Sequence, residues 1–367
     1  MTPLSVTGRT ARLFARRAAG LDIPFPDTGT ALAHHGYIQI DPINVCGRMH
    51  DLILRNRVRA YQVGGLMKHL HGDGIVLPPD QRTGFEHHLP DSSILTAFPL
   101  DAWPHLIAAM HRRTGHDGAW SGRLTKDEEK LSKHLFSEIA SRGPLSSSDI
   151  EDRRPSGPGV WGSATLAKST LQKLFFHGRL LIARRDGTRR FYDLPEKVLP
   201  ASILSAKEPT PAETARWCAI TKLRQRRLVA LKRTELPLVA DLVQSIRITD
   251  MDIPMLHCLK EDVHLLDAPE QPTSPILLAP LDPLIYDRKV TSALWGFDYI
   301  WEVYTPPHKR VRGYYALPVL ADDQIVGHVD PKADHKTRKL HVVSRSVRRG
   351  HSVAPAVKSL AKFLGLK

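Results

Sequence analysis

The order of elements between Lys126 and Asp193 constrains the fold more than any other feature of the chain. Leu131 to Arg142 has amphipathic helical spacing and stops at Gly143-Pro144, where proline cannot continue a helix. Ser146-Ser147-Ser148-Asp149-Ile150 reads as a capped helix start. After a loop rich in Pro and Gly, Ser163 to His177 returns to helical spacing and carries Leu166, Leu171, Leu174 and Phe175. Gly178 to Tyr192 then reads as two strands around Asp186-Gly187, a pair that supplies the backbone a tight hairpin turn needs. Helices followed by a hairpin give the order of a winged helix, here with a basic recognition helix and a basic wing. Such modules also mediate protein contacts.

Upstream, the segment Met1 to Ala19 reads as a helix with Leu13 and Phe14 on its buried face. Thr30 to His35 is a short helix stopped by Gly36. Tyr37 to Asp41 alternates like a short strand ended by Pro42, and Ile43 to Arg57 resumes helical spacing. Thr210 to Leu265 reads as mostly helical, with a basic run at Lys222, Arg224, Arg226, Arg227, Lys232 and Arg233 that suits a solvated face as well as a phosphate track. Beyond Pro272, strands are expected at Ile276–Leu278, Tyr299–Tyr304, Gly313–Leu320, Ile325–Val329 and Leu340–Val343, with a closing helix from Val353 to Leu364. The expected class is α+β, and the closely spaced antiparallel strands beyond Pro272 suggest a small barrel or a curled sheet. Four consecutive regions are expected: 1–122 with the Gln39–Asp41 segment, 123–204 as the middle winged helix, 205–272 as a further helical or winged-helix module, and 273–367 as the barrel or curled sheet with its closing helix.

Lysine and arginine total 52 against 38 acidic residues, a formal charge of +14 over 367 residues. Such an excess points to a polyanionic partner, because phosphate neutralisation releases condensed counterions. Cys46, Cys218 and Cys258 are too few and too scattered for a disulfide framework or a metal quartet, and they suit a reducing cytoplasm. The N-terminus has no uninterrupted apolar run of the signal-peptide kind, and no segment is apolar enough to span a bilayer. The expectation is a cytoplasmic, nucleoid-associated monomer. His34-His35, His69 with His71, and His87-His88 have no metal-ligand spacing and read as surface or packing residues. Phosphate-binding glycine loops and a serine hydrolase elbow are absent, so neither metal nor organic cofactor is expected.

Gln39 and Asp41 are the residues with chemical promise. Two apart in a strand, they point to one face, and Pro42 biases Asp41 toward an extended backbone. A carboxylate accepts a proton from water, and a neighbouring amide orients that water. Asp41 followed by proline and helical spacing is equally a helix N-cap with proline at the first position. Both readings stay open on the residues alone.

Gly36-Tyr37-Ile38-Gln39-Ile40-Asp41-Pro42-Ile43-Asn44-Val45, followed by Arg48, His50 and Leu54, resembles the signature segment of the bacterial winged-helix DNA glycosylases of the YcaQ and AlkZ superfamily. Arg190 to Pro200 resembles the family's segment after its middle wing. Leu281 to Arg288, Gly296 to Tyr299, Glu302 to Pro306, Gly313 to Pro318 and Gly327 to Lys332 resemble its C-terminal domain. The stretch from Arg59 to His88 departs from the pattern, with His87-His88 where an aromatic pair is usual.

The resemblance implies tandem winged helices around a DNA channel, the first of them in 1–122, a C-terminal β-barrel in 273–367, and a catalytic motif of Gln, an aliphatic residue, then Gln or Asp. Gln39-Ile40-Asp41 has the Asp form, which marks the branch that acts on N7-alkylguanines and unhooks interstrand crosslinks. The implied enzyme is a monofunctional glycosylase acting on double-stranded DNA with alkylated or crosslinked purines, with Asp41 catalytic and Gln39 its helper. Candidate DNA contacts are Arg48, His50 and Arg57 near the motif, Arg184, Arg185 and Arg189 on the wing, and Lys309, Arg310, Arg312, Lys332, Lys336 and Arg338 in the C-terminal turns. The rival is a non-enzymatic winged-helix regulator, although such proteins usually read operators as symmetric dimers of like modules.

Overall fold

Thr7 accepts a hydrogen bond from the Thr10 N–H and so starts the helix Gly8–Ala18 (α1), which follows a short strand at Leu4–Val6 (β1). The computed structural model describes residues 2–152, 154–156, 165–269 and 273–367. Phe14 is fully buried on α1, while Leu13 is only half-buried. Asp27 caps the next helix, Thr28–His35 (α2), and Gly36 ends it at φ +72°, where a Cβ would be strained. Ile38–Gln39 (β2) is shorter than the strand expected from Tyr37 to Asp41.

The helix expected from Ile43 is a larger departure. Residues 42 to 48 are irregular, and only Met49–Leu54 (α3) is helical. Asn44 accepts the Gly47 N–H (3.1 Å), and Gly47 takes φ +116°, a combination that closes a turn and interrupts any helix. Asp41 is therefore no helix cap, and the residue preceding α3 is Arg48.

The chain divides into two compact units, Leu66–Thr214 and a discontinuous one made of Met1–Gly65 with Ala215–Lys367. The Leu66–Thr214 unit holds most of Gly65–His71 (α4), the antiparallel pair Gly84–His88 (β3) and Leu95–Pro99 (β4), and the helix Trp103–Gly115 (α5). Lys126–Arg142 (α6) begins in a full capping box, with Thr125 and Glu128 satisfying each other's backbone N–H groups. No helix starts at Ser146. Asp149 instead accepts the Ser146 N–H (2.8 Å) in a local turn, and Leu145 pairs with Tyr192. Leu166–Phe176 (α7) packs on α6, where Glu128 accepts from Ser169 and Lys173, and Leu171, Leu174 and Phe175 on α7 are buried, as are Leu135 and Ile139 on α6. The Ser163 start expected for this helix lies outside the described residues. The hairpin Leu181–Asp186 (β5) and Arg189–Asp193 (β6) turns at Gly187, φ +57°, as the Asp-Gly pair requires. Short helical turns follow at Pro195–Val198 (α8) and Ala201–Leu204 (α9).

Pro211–Arg226 (α10) and Leu236–Val239 (α11) are helical as expected, but Val243–Ile248 (β7) and Leu256–Leu259 (β8) are strands. Their sheet has the order β1-β7-β8, with Leu4 opposite Ile246 in parallel. That pairing closes the discontinuous unit, which the four consecutive sequence regions do not follow. Ile276–Leu277 (β9), Leu317–Ala321 (β10), Gln324–Asp334 (β11) and Lys339–Val347 (β12) form an antiparallel sheet of order β12-β11-β10-β9. Among the described residues this sheet is open, so of the two expectations, a small barrel or a curled sheet, the closed barrel is not formed. Closure needs an inner face on every strand, whereas β12 is exposed at most positions on both sides. Tyr299–Tyr304 is not a strand, and a single 3-10 turn lies at Glu302–Tyr304. Arg288–Trp295 (α12) and the final Ala354–Phe363 (α13) complete the unit.

Candidate active site

Gln39 ends β2 and Asp41 follows two residues later, past the strand, where burial still alternates. Ile38 and Ile40 are buried, while Gln39 and Asp41 are half-buried. Asp41 Oδ1 accepts the Ile43 N–H at 2.9 Å, which fixes the carboxylate plane. Its other oxygen has no hydrogen bond within the described residues. Burial pushes the Asp41 carboxyl above the usual carboxylate range, and the Ile43 N–H only partly offsets this. Gln39 Oε1 is buried and has no hydrogen-bond partner in the described residues. A carboxylate oxygen and an amide carbonyl, neither of them engaged within the described residues, are the two acceptors that the O–H groups of a single water need.

The loop behind Asp41 is held from the C-terminal sheet. Ala333 on β11 donates its N–H to the Val45 carbonyl (2.9 Å), and Cys46 is fully buried. Asp330, also on β11, accepts the Tyr314 and Tyr315 N–H groups at 3.0 and 2.9 Å. Glu302 accepts those of Val311, Arg312 and Gly313 at 2.8–3.1 Å. Two buried carboxylates thus grip five successive N–H groups and fix the backbone entering Tyr315.

Tyr315 is fully buried, and its hydroxyl has no hydrogen-bond partner in the described residues. The ring meets Trp301 edge-on, with centroids 5.9 Å apart. Burial, with smaller contributions from Cys46 and Asp41, holds its phenol well above the ordinary tyrosine range. Sequence reasoning places Tyr315 inside a family-like block without giving it a role. The signal is a Tyr pair directly after a glycine, which does not distinguish a site residue from a packed one.

The expected DNA contacts divide by burial. Arg57 is fully buried, forks onto both oxygens of Asp282 (2.8 and 2.6 Å) and donates to the Ala19 and Ile53 carbonyls. It is a structural strut and no phosphate ligand. His50 is 1% exposed, which puts it out of reach of a duplex as well. Arg185 is paired with the buried Glu86 carboxylate, which also accepts from His71 (2.6 Å). Its charge is already neutralised inside the unit. Burial alone would raise the Glu86 carboxyl, but Arg185 and His71 outweigh it and hold the group well below the carboxylate range.

Arg48 is half-buried, and Arg184 lies 3.4 Å over the Phe191 ring. Arg310 covers Tyr314 and donates to the Thr305 carbonyl, while Arg312 covers Phe297. Arg189, Lys309, Lys332, Lys336 and Arg338 are exposed. Lys339, His341, Arg345 and Arg348 extend the exposed basic character along and just past β12, a feature the short strand read at Leu340–Val343 hid. His87 and His88 are packing residues. His87 Nε2 bonds the Phe175 carbonyl (2.8 Å), His88 stacks on Phe176 at 3.7 Å, and burial lowers both, His87 to about 4. Within the described residues no group of three His, Cys, Asp or Glu side chains is placed to hold a metal ion, and no helix is long and apolar enough to cross a membrane.

A family model described as DNA glycosylase AlkZ-like matches residues 32–363, a span that contains Gln39, Asp41 and Tyr315. Among solved structures the chain is similar to the Streptomyces sahachiroi DNA glycosylase AlkZ. The TM-score is 0.61 at 15% sequence identity, covering 99% of this chain and 98% of that one. At that identity the likeness is one of fold.

Proposed function

Because the chain belongs to the AlkZ-like DNA glycosylase family, we propose that it hydrolyses the N-glycosidic bond of N7-alkylated purines, crosslinked guanines included, at Gln39 and Asp41. The observation that carries this reading is the pair of acceptors without partners among the described residues, the second Asp41 oxygen and the buried Gln39 carbonyl, two residues apart at the end of β2. N7 alkylation makes the base cationic, so it departs as a neutral molecule without a general acid. What remains to be stabilised is an oxocarbenium-like sugar and an attacking water.

Water donates one O–H to Asp41 and the other to Gln39, which leaves a lone pair for C1′. As the new C–O bond forms and the bond to N9 breaks, the proton passes to Asp41 and the electron pair leaves with the base. The negative Asp41 also favours the developing positive sugar. Partial burial makes it a stronger base than a solvated aspartate. Tyr315, with a buried hydroxyl unpartnered among the described residues of the same unit, is a candidate to help order the site.

The helix, helix, hairpin order of α6, α7, β5 and β6 supports a winged helix, with Arg189 exposed beside its turn. The exposed Lys332 near the end of β11, with Lys336 and Arg338 in the turn before β12, supports a second phosphate grip. The reading is of a monomer that leaves an abasic site and needs no cofactor. Incubation with a duplex carrying one N7-methylguanine, and with one carrying a guanine–guanine crosslink, tests it. Release of free base and separation of the crosslinked strands are expected. Tight binding without release would identify a regulator instead.

A further inference from the structure

Arg55 follows α3 and is mostly buried, yet no acidic side chain pairs with it in the described residues. Its Nη2 donates to Ser359 Oγ at a long 3.3 Å, and its guanidinium lies 5.5 Å over the Phe363 ring. Nη1 is buried without any hydrogen-bond partner in the described residues. An unpaired buried cation is costly, and elsewhere in this unit Arg57 and Arg227 are each matched by a carboxylate, Asp282 and Asp262. Arg55 lacks that match, and it also lacks the two backbone carbonyls that take the guanidinium of Arg288, the other largely buried arginine here without a carboxylate among the described residues.

It does so at the wall of a cavity of ≈ 500 Å³. Ser359, Lys362 and Phe363 reach this cavity from one face of α13, since residues three and four apart share a helix side. Tyr61 stacks against Phe363 and Gln62 adds an amide. No acidic residue lines the space. Burial without a counter-ion also draws Arg55 down, to about 10.

We propose that this cavity is a phosphate-binding site in which Arg55 and Lys362 supply the charge and Ser359 a further hydrogen bond. A phosphate suits these donors better than a carboxylate, because a guanidinium edge, a hydroxyl and an ammonium lining one space can together meet a ligand with several acceptor oxygens. The phosphate comes either from the DNA backbone or from a small molecule free in solution. The proposal stands independently of the excision chemistry at Asp41.

Inorganic phosphate is titrated against the wild-type chain at constant ionic strength, with the melting temperature as readout, beside Arg55→Met and Lys362→Gln. The wild type is expected to be stabilised by phosphate, and Arg55→Met to weaken that binding at least about tenfold, the scale of one charged hydrogen bond. Lys362 is exposed, so Lys362→Gln leaves folding intact and decides the matter if Arg55→Met does not fold. In the second arm, affinity for undamaged duplex is measured against salt. A slope reduced by about 0.9 in either variant identifies a backbone phosphate as the occupant. An unchanged slope beside weakened phosphate binding identifies a free phosphate. If neither variant that folds changes phosphate binding or the slope, the proposal is wrong.

Discussion

Gly313→Ala tests whether the carboxylate grip on the backbone before Tyr315 matters. Gly313 takes φ +128°, and a Cβ there would lie 2.2 Å from Asp330 Oδ2, 2.6 Å from its Cγ and 2.8 Å from its Cβ. The group that must move is a buried carboxylate holding the Tyr314 and Tyr315 N–H groups. Leaving two such donors unpaired costs about 2–6 kcal/mol, and the strained backbone adds about 1–2 kcal/mol. Partial relaxation favours the lower end, about 3 kcal/mol, which corresponds to a fall in Tm of about 6–12 °C for a unit of this size. Thermal unfolding by circular dichroism reads it. Gly187→Ala is the control, since Gly187 also has positive φ but a Cβ there meets nothing within 4 Å. The control should lose only about 1 kcal/mol. Single-turnover excision by Gly313→Ala, run well below its melting point, should drop as Tyr315 shifts. A Tm within about 2 °C of wild type, less than 1 kcal/mol on the same scale, would refute the reasoning.

Excision should fall on acidification with a midpoint above the ordinary aspartate range, because burial raises the Asp41 carboxyl and only the ionised form accepts a proton; an acid limb at or below the value of a solvated aspartate, about 3.9, would contradict it. The same raised value means that the folded chain holds the Asp41 proton more tightly than the unfolded chain, so the ionised group costs stability at neutral pH. Asp41→Asn should therefore melt no lower than wild type at neutral pH, with any advantage shrinking as the pH falls below the folded-state value. Replacing Lys332, Lys336 and Arg338 together with Gln should lower the salt dependence of duplex binding by about 0.9 in slope for each phosphate that the turn no longer neutralises, and an unchanged slope would remove that turn from the interface. Arg185→Met should destabilise by about 3–5 kcal/mol in urea unfolding, because it leaves the Glu86 charge buried, and a loss under about 1 kcal/mol would mean that the pair is not structural.

The alternation of burial from Ile38 to Asp41 was legible because a period of two needs only five residues, although the strand itself stops at Gln39, and the hairpin at Gly187 was legible because Asp-Gly states its own turn. The helix read from Ile43 failed because Ile43, Val45 and Met49 have helical spacing while Asn44 and Gly47 close a turn. Periodicity does not register that side-chain bond. Strand β1 has only three residues, two of them exposed, and its partner begins 239 positions after it (Leu4 and Val243), so nothing local announces it. Charge was visible but not its use. Arg57 finds Asp282 across 225 positions and Arg185 finds Glu86 across 99, and each pairing converts an expected phosphate ligand into a strut. The lone hydroxyl of Tyr315 and the unmatched Arg55 have the same cause, since a missing partner exists only once the chain is folded.

The most direct test of the account is single-turnover release of N7-methylguanine by Asp41→Asn beside wild type. Asn keeps the shape of the side chain and the acceptor for the Ile43 N–H, the one bond that Asp41 makes to its own loop. Folding and duplex affinity should therefore be preserved. Removing the charge and the base should cut the excision rate by about 10²–10⁴, or about 2.7–5.4 kcal/mol of barrier. A well-folded Asp41→Asn chain that releases the base at the wild-type rate would take Asp41 out of the mechanism and the account with it.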